Sequence, residues 1–137
     1  MSNKLKEPSR NCSRCSRLKK FRIENRKKYP SWFNAPVPSI LNINSELLIV
    51  GLAPGVTGAN RTGRPFTGDH AGLILFSTLK KFGFSRGFYK ENGFDSLELD
   101  NCSITNAVRC VPPKNLPNTS EIKNCEIFLQ KTINEHK

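Results

Sequence analysis

The sequence has no long hydrophobic run. Nothing in its 137 residues approaches the roughly 18 consecutive apolar residues that a membrane-spanning helix requires. The residues that follow Met1 are polar and basic, so the sequence does not begin like a secretory signal. Hydrophobic residues make up 36% of the chain and charged residues 24%, which is typical of a globular domain. We therefore expect one domain, no membrane span and a cytoplasmic location.

Acidic residues are scarce at the start of the chain. Residues 1–30 contain eleven lysines and arginines but only two acids, a net charge of +9, whereas residues 31–137 carry +2. A concentrated positive segment suits a polyanionic partner, because each cation that meets a phosphate releases a condensed counterion. A solvated basic tail is the alternative on charge alone. The sequence thus divides into a basic segment, residues 1–30, and a domain over residues 31–137.

The usual nucleotide-binding motifs are absent. No G-x-G-x-x-G occurs in the chain. Gly58 and Gly63 have the spacing of a Walker loop, but Arg64 and Pro65 follow where lysine and serine or threonine are required. We therefore do not expect an ATPase or a nucleotide-dependent dehydrogenase.

Strand and helix patterns alternate along the domain. Residues 47–50 form a continuous apolar run, which predicts a strand buried on both faces. Residues 51–72 contain six glycines, a density that lets the backbone approach a ligand closely. Residues 103–109 are rich in β-branched side chains and predict a second strand. Between the strands, Asp69 is placed to cap a helix whose apolar stripe is Leu75, Leu79 and Phe82.

A second helix is predicted from about Asn118, where Glu121 completes a capping box. Its apolar side contains Ile122, Cys125, Phe128 and Leu129. The order strand, helix, strand, helix predicts an α/β fold, a three-layer α/β/α arrangement with a short parallel sheet. Two parallel strands cannot bury their faces as a doubly wound sheet does, so the predicted elements amount to part of a domain.

Five cysteines suggest a metal centre rather than disulfides, because the chain carries no sign of secretion. Cys12 and Cys15 form a C-x-x-C motif, and Cys110 and Cys125 lie far along the chain. Four thiolates suit a structural zinc ion or a [4Fe–4S] cluster, and general frequency slightly favours zinc. Cys102, one position before the second strand, is interpreted as a buried thiol of the core.

Two stretches carry a resemblance to a known family: Gly51-Leu-Ala-Pro-Gly-Val-Thr-Gly-Ala-Asn-Arg-Thr-Gly-Arg-Pro-Phe-Thr-Gly-Asp69 and Ile104-Thr-Asn-Ala-Val-Arg-Cys110-Val-Pro-Pro-Lys-Asn115. They resemble motifs of the iron–sulfur uracil-DNA glycosylases, specifically the type-B (family 5) branch. With the four cysteines, the resemblance covers the chain from about residue 10 onward. Family members continue with a further portion that includes a His-containing motif. We therefore expect this chain to correspond to the N-terminal portion of such an enzyme.

The resemblance implies a structural [4Fe–4S] cluster ligated by Cys12, Cys15, Cys110 and Cys125. Such a cluster would join the basic segment to the end of the second strand and to the last helix, and would place the positive charge beside DNA. The implied activity is that of a monomeric uracil-DNA glycosylase, a hydrolase that cleaves the N-glycosidic bond of uracil in DNA during base excision repair. Other deaminated bases are further implied substrates.

The resemblance also implies how a base would be recognised. A glycosylase must extract its target base from the helix stack. Phe66 would stack on the flipped base, with core packing as the alternative role. Asn106 would read the edge of uracil, because an amide both donates and accepts hydrogen bonds, and a cap of the strand end is the alternative.

Further residues are implied for the chemistry. Asn60 would position the attacking water. Asp69 is the nearest carboxylate that could take a proton, although a helix cap already explains it. Gly51, Ala53 and Gly55 would contribute backbone groups beside the departing anion.

The remaining polar residues of the matched stretches have weaker assignments. Arg61 and Arg64 would contact DNA phosphates, with solvated loop cations as the alternative. His70 and His136 match no motif of the family, and His70 is expected on the surface in a first helical turn. The rival function is an inactive iron–sulfur or zinc DNA-binding remnant, which keeps the cluster and the basic segment without catalysis.

Overall fold

The structure is a computed structural model and describes residues 7–136. The first six residues of the basic segment and Lys137 lie outside the described residues. In chain order the elements are α1 (Ser16–Lys28), β1 (Leu47–Gly51), α2 (Ala59–Thr62), α3 (His70–Lys81), β2 (Ser85–Arg86), β3 (Glu98–Leu99), β4 (Cys102–Asn106) and α4 (Thr119–His136). Within residues 7–136, no helix has both the length and the apolar character that a membrane crossing requires.

The two longer strands form a parallel pair. β1 and β4 lie side by side, with Leu47 opposite Cys102 and Gly51 opposite Asn106. The predicted α/β class with a short parallel sheet is therefore confirmed. β4 occupies a shorter range than the predicted residues 103–109, because it ends at Asn106. The register places Gly51 and Asn106 next to each other where both strands end.

The prediction that β1 is buried on both faces is wrong. Its residues are at most partly buried, and Val50 is 46% exposed. Among the described residues β1 pairs with β4 alone, so its outer edge has no neighbouring strand. β4, in contrast, is buried along its whole length. An apolar run therefore identifies the strand correctly but does not establish that both of its faces are covered.

α3 packs against the sheet. Phe76 and Leu79 are buried in one cluster with Cys102 and Ile104 of β4. The interpretation of Cys102 as a core thiol is confirmed, and burial raises the pKa of this thiol. His70 is exposed in the first turn of the helix, as expected.

The predicted apolar stripe of α3 needs one correction. Leu79 is buried as expected, but Phe82 is exposed beyond the last turn. The buried side of the helix instead begins at Gly72 and continues through Phe76 to Leu79. A Cβ atom on Gly72 would lie 1.6 Å from the carbonyl oxygen of Phe66, so only glycine fits there. The start of α3 is therefore packed tightly onto the loop before it.

The last helix begins with the predicted capping box. The backbone N–H of Asn118 donates to Glu121 Oε1, and the backbone N–H of Glu121 donates to Asn118 Oδ1, both at 2.9 Å. Cys125 is buried as predicted, whereas Ile122 is exposed. The buried side of α4 consists of Glu121, Cys125 and Thr132, so the stripe predicted from hydrophobicity alone is only partly right.

α1 lies directly behind the C-x-x-C motif and docks on the rest of the chain. Leu18 packs against Val108 and Cys110, just beyond the end of β4. Arg17 forms an ion pair with Glu121 at the start of α4. The described part of the basic segment is thereby attached to the end of β4 and to α4.

Candidate active site and cysteine cavity

A cavity of about 90 Å³ lies where β1 and β4 end. The loop after β1, the start of α3 and the last residue of β4 form its wall. The lining residues are Ala53, Pro54, Gly55, Ala59, Phe66, Asp69, Ala71 and Asn106. The carboxyl ends of parallel strands are the usual position of ligand sites in α/β proteins.

Gly51 brings Phe66 and Asn106 together. A Cβ atom on Gly51 would lie 2.4 Å from Asn106 Oδ1 and 2.5 Å from Phe66 Cζ. Both side chains therefore occupy the space beside the Cα atom of Gly51, and a larger residue at position 51 would displace at least one of them. The two residues that the sequence selects for base stacking and edge reading thus share one cavity.

The Asn106 side chain is buried but not engaged. Only 3% of the residue is exposed, and its backbone carbonyl accepts a hydrogen bond from buried Arg109 at 2.9 Å. Within the described part of the chain, no protein group hydrogen-bonds to the side-chain amide. The amide atoms are not among the fully buried, unpaired polar atoms of the described residues, and Asn106 lines the cavity. An amide without a protein partner on a cavity wall can form its hydrogen bonds with a bound ligand.

Asp69 is the one titratable side chain among the described residues that line this cavity. Its Oδ1 accepts a hydrogen bond from the Gly72 N–H at 3.4 Å, so the predicted helix cap is present. Its Oδ2 lies against Gly55 and Gly58, only 3.0 and 2.4 Å from where a Cβ atom would stand on each. One carboxylate oxygen therefore caps α3, and the other accepts no hydrogen bond from the described residues. Proton transfer by Asp69 stays a prediction.

Asn60 is not among the lining residues. It is 1% exposed, and its Nδ2 donates to Asn34 Oδ1 at 3.0 Å. Its neighbour Ala59 lies on the cavity wall instead. The water-positioning role of Asn60 stays a prediction, but its amide nitrogen is already used to join α2 to the segment before β1. The sequence offers no signal for Asn34, because the pair is separated by 26 positions.

Arg61 and Arg64 both brace the loop. Arg61 donates to two backbone carbonyls of its own loop, at 2.7 and 3.2 Å. All three guanidinium nitrogens of Arg64 have partners, since Nε donates to Thr67 and the other two donate to the carboxylate of Asp95. Asp95 lies in the connection that contains β2 and β3. The phosphate contacts of both arginines stay predictions, while their described contacts are structural.

The Arg64–Asp95 pair is expected to make stability depend on pH in the acid range. The Asp95 side chain is 1% exposed. Hydrogen bonds from Arg64 lower the pKa of this carboxyl from 3.8 to about 2. Because the folded-state pKa is the lower one, the carboxylate stabilises the fold by about 2 kcal/mol at neutral pH, and this contribution is lost as the pH falls through both values.

Urea unfolding at two pH values measures this contribution. From this pair we expect a loss of about 1 kcal/mol in the free energy of unfolding between about pH 7 and pH 3. Asp95→Asn should lack that part of the pH dependence. Asp100→Asn is the control, because the exposed ion pair of Asp100 with Arg86 contributes little. The same pH dependence in the wild type and in Asp95→Asn would contradict the assignment.

A second cavity is lined by the four cysteines that the sequence selects. Cys12, Cys15, Cys110 and Cys125 all contribute to its wall, although they lie at opposite ends of the chain. Cys102 is separate from them, in the cluster under α3. The remaining lining residues are Pro8, Arg14, Leu18, Arg22, Val108, Asn124 and Phe128.

The thiols of this cavity are difficult to ionise without a cation. Burial raises the pKa of Cys110 to about 12, and it also raises the pKa of Cys15 and Cys125. The neighbouring cysteines raise the pKa of Cys110 further, whereas Arg22 lowers it. A metal that replaces the thiol protons would relieve this cost.

Arg22 is a cavity residue that sequence reasoning missed. It is 2% exposed, and its Nη1 donates to Cys110 Sγ at 3.4 Å. Its Nη2 donates to the backbone carbonyl of Cys12 at 2.7 Å. The three apolar residues of α1, Leu18, Phe21 and Ile23, do not form one stripe, so hydropathy does not distinguish Arg22 from the exposed cations of the same helix.

Comparison with known proteins identifies the family. Residues 38–137 match the Uracil DNA glycosylase superfamily. The chain is 40% identical over 127 residues to the Type-5 uracil-DNA glycosylase of Pyrobaculum aerophilum, which covers 90% of this chain and 56% of the relative. It is 42% identical over 120 residues to the Type-5 uracil-DNA glycosylase of Thermus thermophilus, covering 83% of this chain and 54% of the relative. A Type-4 uracil-DNA glycosylase of Pyrobaculum aerophilum is 34% identical over 131 residues, with 95% and 53% covered.

The chain spans about half the length of the curated relatives it matches. The superfamily match includes both strands of the parallel sheet and the cavity that contains Phe66 and Asn106. The matches to the type-5 relatives cover most of this chain. The chain belongs to the uracil DNA glycosylase superfamily.

Proposed function

We propose that this chain carries the base-binding part of a DNA repair glycosylase, which hydrolyses the N-glycosidic bond of uracil and of other deaminated bases in DNA. The observation that carries the proposal is the meeting of Phe66 and Asn106 over Gly51 in one cavity. The names of the type-5 relatives support the same activity. The proposal includes a monomeric protein in the cytoplasm.

Recognition requires the base to leave the duplex, because the bond to be cut is inaccessible inside the helix stack. The aromatic face of Phe66 provides a stacking surface for the flipped base. The Asn106 amide then donates to one polar atom of the uracil edge and accepts from another. Since the wall opposite consists of small residues and backbone, the base can lie close to the loop after β1.

Hydrolysis joins a water oxygen to the sugar carbon while the bond to the base nitrogen breaks, and the bonding electrons leave with uracil. Asp69 would orient this water and take its proton, since the residue lines the cavity and the helix cap uses only its Oδ1. The leaving anion would be stabilised by backbone N–H groups of the loop and by the N-terminus of α3. Asn60 contributes to water placement only if its carbonyl oxygen reaches the cavity.

The proposal places a [4Fe–4S] cluster in the cysteine cavity, whose wall brings together the four cysteines that the sequence selects. A cluster of this type binds one thiolate at each of its four irons. Cys12, Cys15, Cys110 and Cys125 would hold it, and when bound it would supply structural cross-linking.

The basic segment supplies the proposed DNA contacts. With Arg61 and Arg64 used inside the loop, the exposed lysines of α1 are the better candidates for phosphate binding. A shallow groove on this helix is lined by Lys19, Lys20 and Lys27 together with Ile23 and Glu24. Cations on one helix face suit contacts that position DNA without reading its sequence.

Release of free uracil tests the proposal. The metal-loaded protein is incubated with single- and double-stranded oligonucleotides that contain one uracil, and with the same strands containing thymine. We expect slow but measurable release from the uracil strands only. Binding of all strands alike with no release from any would instead favour the non-catalytic DNA-binding alternative.

A further inference from the structure

We propose that Arg22 is the counter-ion of the metal–sulfur centre and controls both its reduction potential and its retention. The inference rests on the cluster part of the proposed function, but it concerns a residue outside the four ligands. Arg22 would act as a positioning and charge-compensating residue, through hydrogen bonds to sulfur.

Burial without a carboxylate partner is the first observation. Arg22 is 2% exposed, whereas none of the ion pairs between described residues includes it. A buried guanidinium that lacks an anion is strongly unfavourable. Its Nη1 instead donates to Cys110 Sγ, a proposed ligand of the cluster, at 3.4 Å. A negatively charged centre in the cysteine cavity would therefore supply the counter-charge that Arg22 lacks among the described residues.

An unused donor is the second observation. Nη2 is satisfied by the Cys12 carbonyl, but Nε is buried and has no acceptor among the described residues. Buried N–H groups without acceptors are rare in folded proteins. Since Arg22 lines the same cavity as the four cysteines, a sulfur-rich anionic group there is the acceptor that this donor lacks.

The positive charges of neighbouring arginines are the third observation. Burial lowers the pKa of Arg26, and Arg10 and Arg22 lower it further, so three arginines share this region. Arg26 donates to the backbone carbonyls of Arg10 and Asn34 rather than to a carboxylate. These three cations have carbonyl, side-chain amide and thiol partners but no carboxylate among the described residues, so they repel one another, and an anionic centre beside them would offset that repulsion.

Positive charge and hydrogen bonds at the sulfurs favour the state that carries one more electron. Arg22 should therefore raise the reduction potential of the centre. It should also slow metal loss, because partners that orient metal ligands typically change metal affinity by about 10–100-fold when removed.

Three variants of the full chain test this role: Arg22→Gln, Arg22→Lys and, as the control, Lys123→Gln on the exposed side of α4. The readouts are iron and zinc content, the reduction potential followed by visible absorption, and the rate of bleaching by an iron chelator. We expect Arg22→Gln to have a more negative potential and to bleach about 10-fold faster than the wild type. Arg22→Lys keeps the charge but not the paired donors, so its potential and bleaching rate should fall between those of Arg22→Gln and the wild type. Lys123→Gln should match the wild type.

The outcomes distinguish a failure of the Arg22 inference from a failure of the cluster proposal. A brown wild type whose potential and bleaching rate are unchanged in Arg22→Gln overturns the role of Arg22 alone. A colourless wild type that contains zinc overturns the cluster proposal, and the Arg22 inference with it. If Arg22→Gln does not fold, Arg22→Lys decides: a potential and bleaching rate equal to those of the wild type overturn the inference, and intermediate values support it.

Discussion

Replacing Asp69 with asparagine is expected to slow uracil release by about 10²–10⁴-fold, the usual contribution of a positioned general base. Asparagine caps helices as well as aspartate does, so the hydrogen bond from the Gly72 N–H should persist. The charge and the proton acceptor on Oδ2 are lost. Single-turnover release gives the rate, and thermal unfolding shows whether the cap remains.

The matched comparison is Asn60→Ala. Because the Asn60 amide holds Asn34 in a buried hydrogen bond, this substitution is expected to lower stability, by about 1–3 kcal/mol. Asp100→Asn serves as the exposed carboxylate control and should leave both properties unchanged. If Asp69→Asn retains the full rate while Asn60→Ala loses it without a loss of stability, Asn60 positions the water and Asp69 is only a helix cap.

Replacing Cys110 with serine is expected to abolish the iron–sulfur absorption and to destabilise the chain. Cys110 follows β4 and packs with Leu18 of α1, so loss of this ligand weakens the attachment of the basic segment to the sheet. Metal binding at structural sites contributes on the order of 10 kcal/mol to folding. Even part of that energy would lower the melting temperature by about 10 °C or more.

Cys102→Ser is the matched control for this experiment. Cys102 is equally a buried cysteine, but it lies under α3 and away from the cysteine cavity. It should lose some stability and keep its colour and iron content. Equal iron content in Cys110→Ser and the wild type would contradict the ligand assignment.

The part of the site that lies close together along the chain could be predicted from the sequence. An apolar run ending at Gly51, a glycine-rich loop and a helix cap at Asp69 are local patterns, and the parallel pairing of the two strands follows from their connection. The meeting of Phe66 and Asn106 then depends on strand register, which places Gly51 opposite Asn106, and on the loop that brings Phe66 over Gly51.

Burial and long-range partners could not be predicted. Val50 belongs to an apolar run, yet it is exposed because Leu47 and Ile49 face the cluster under α3 whereas Val50 lies on the opposite face of β1. Phe82 continues the apolar spacing of α3, but the helix ends at Lys81, so the Phe82 side chain does not pack on the core. Arg22 and Asp95 acquire their roles from residues far away in sequence, and neither has a local pattern that distinguishes it from surface charges.

Nuclear magnetic resonance of the Asn106 side-chain amide tests the central claim most directly. The isotope-labelled protein is titrated with two oligonucleotides that differ only in carrying uracil or thymine at one position, and Asn106→Asp identifies the amide signal. The account predicts that the uracil strand shifts this amide and the Phe66 ring together, whereas the thymine strand does not. Uracil-dependent shifts elsewhere, with both of these signals unmoved, would contradict it.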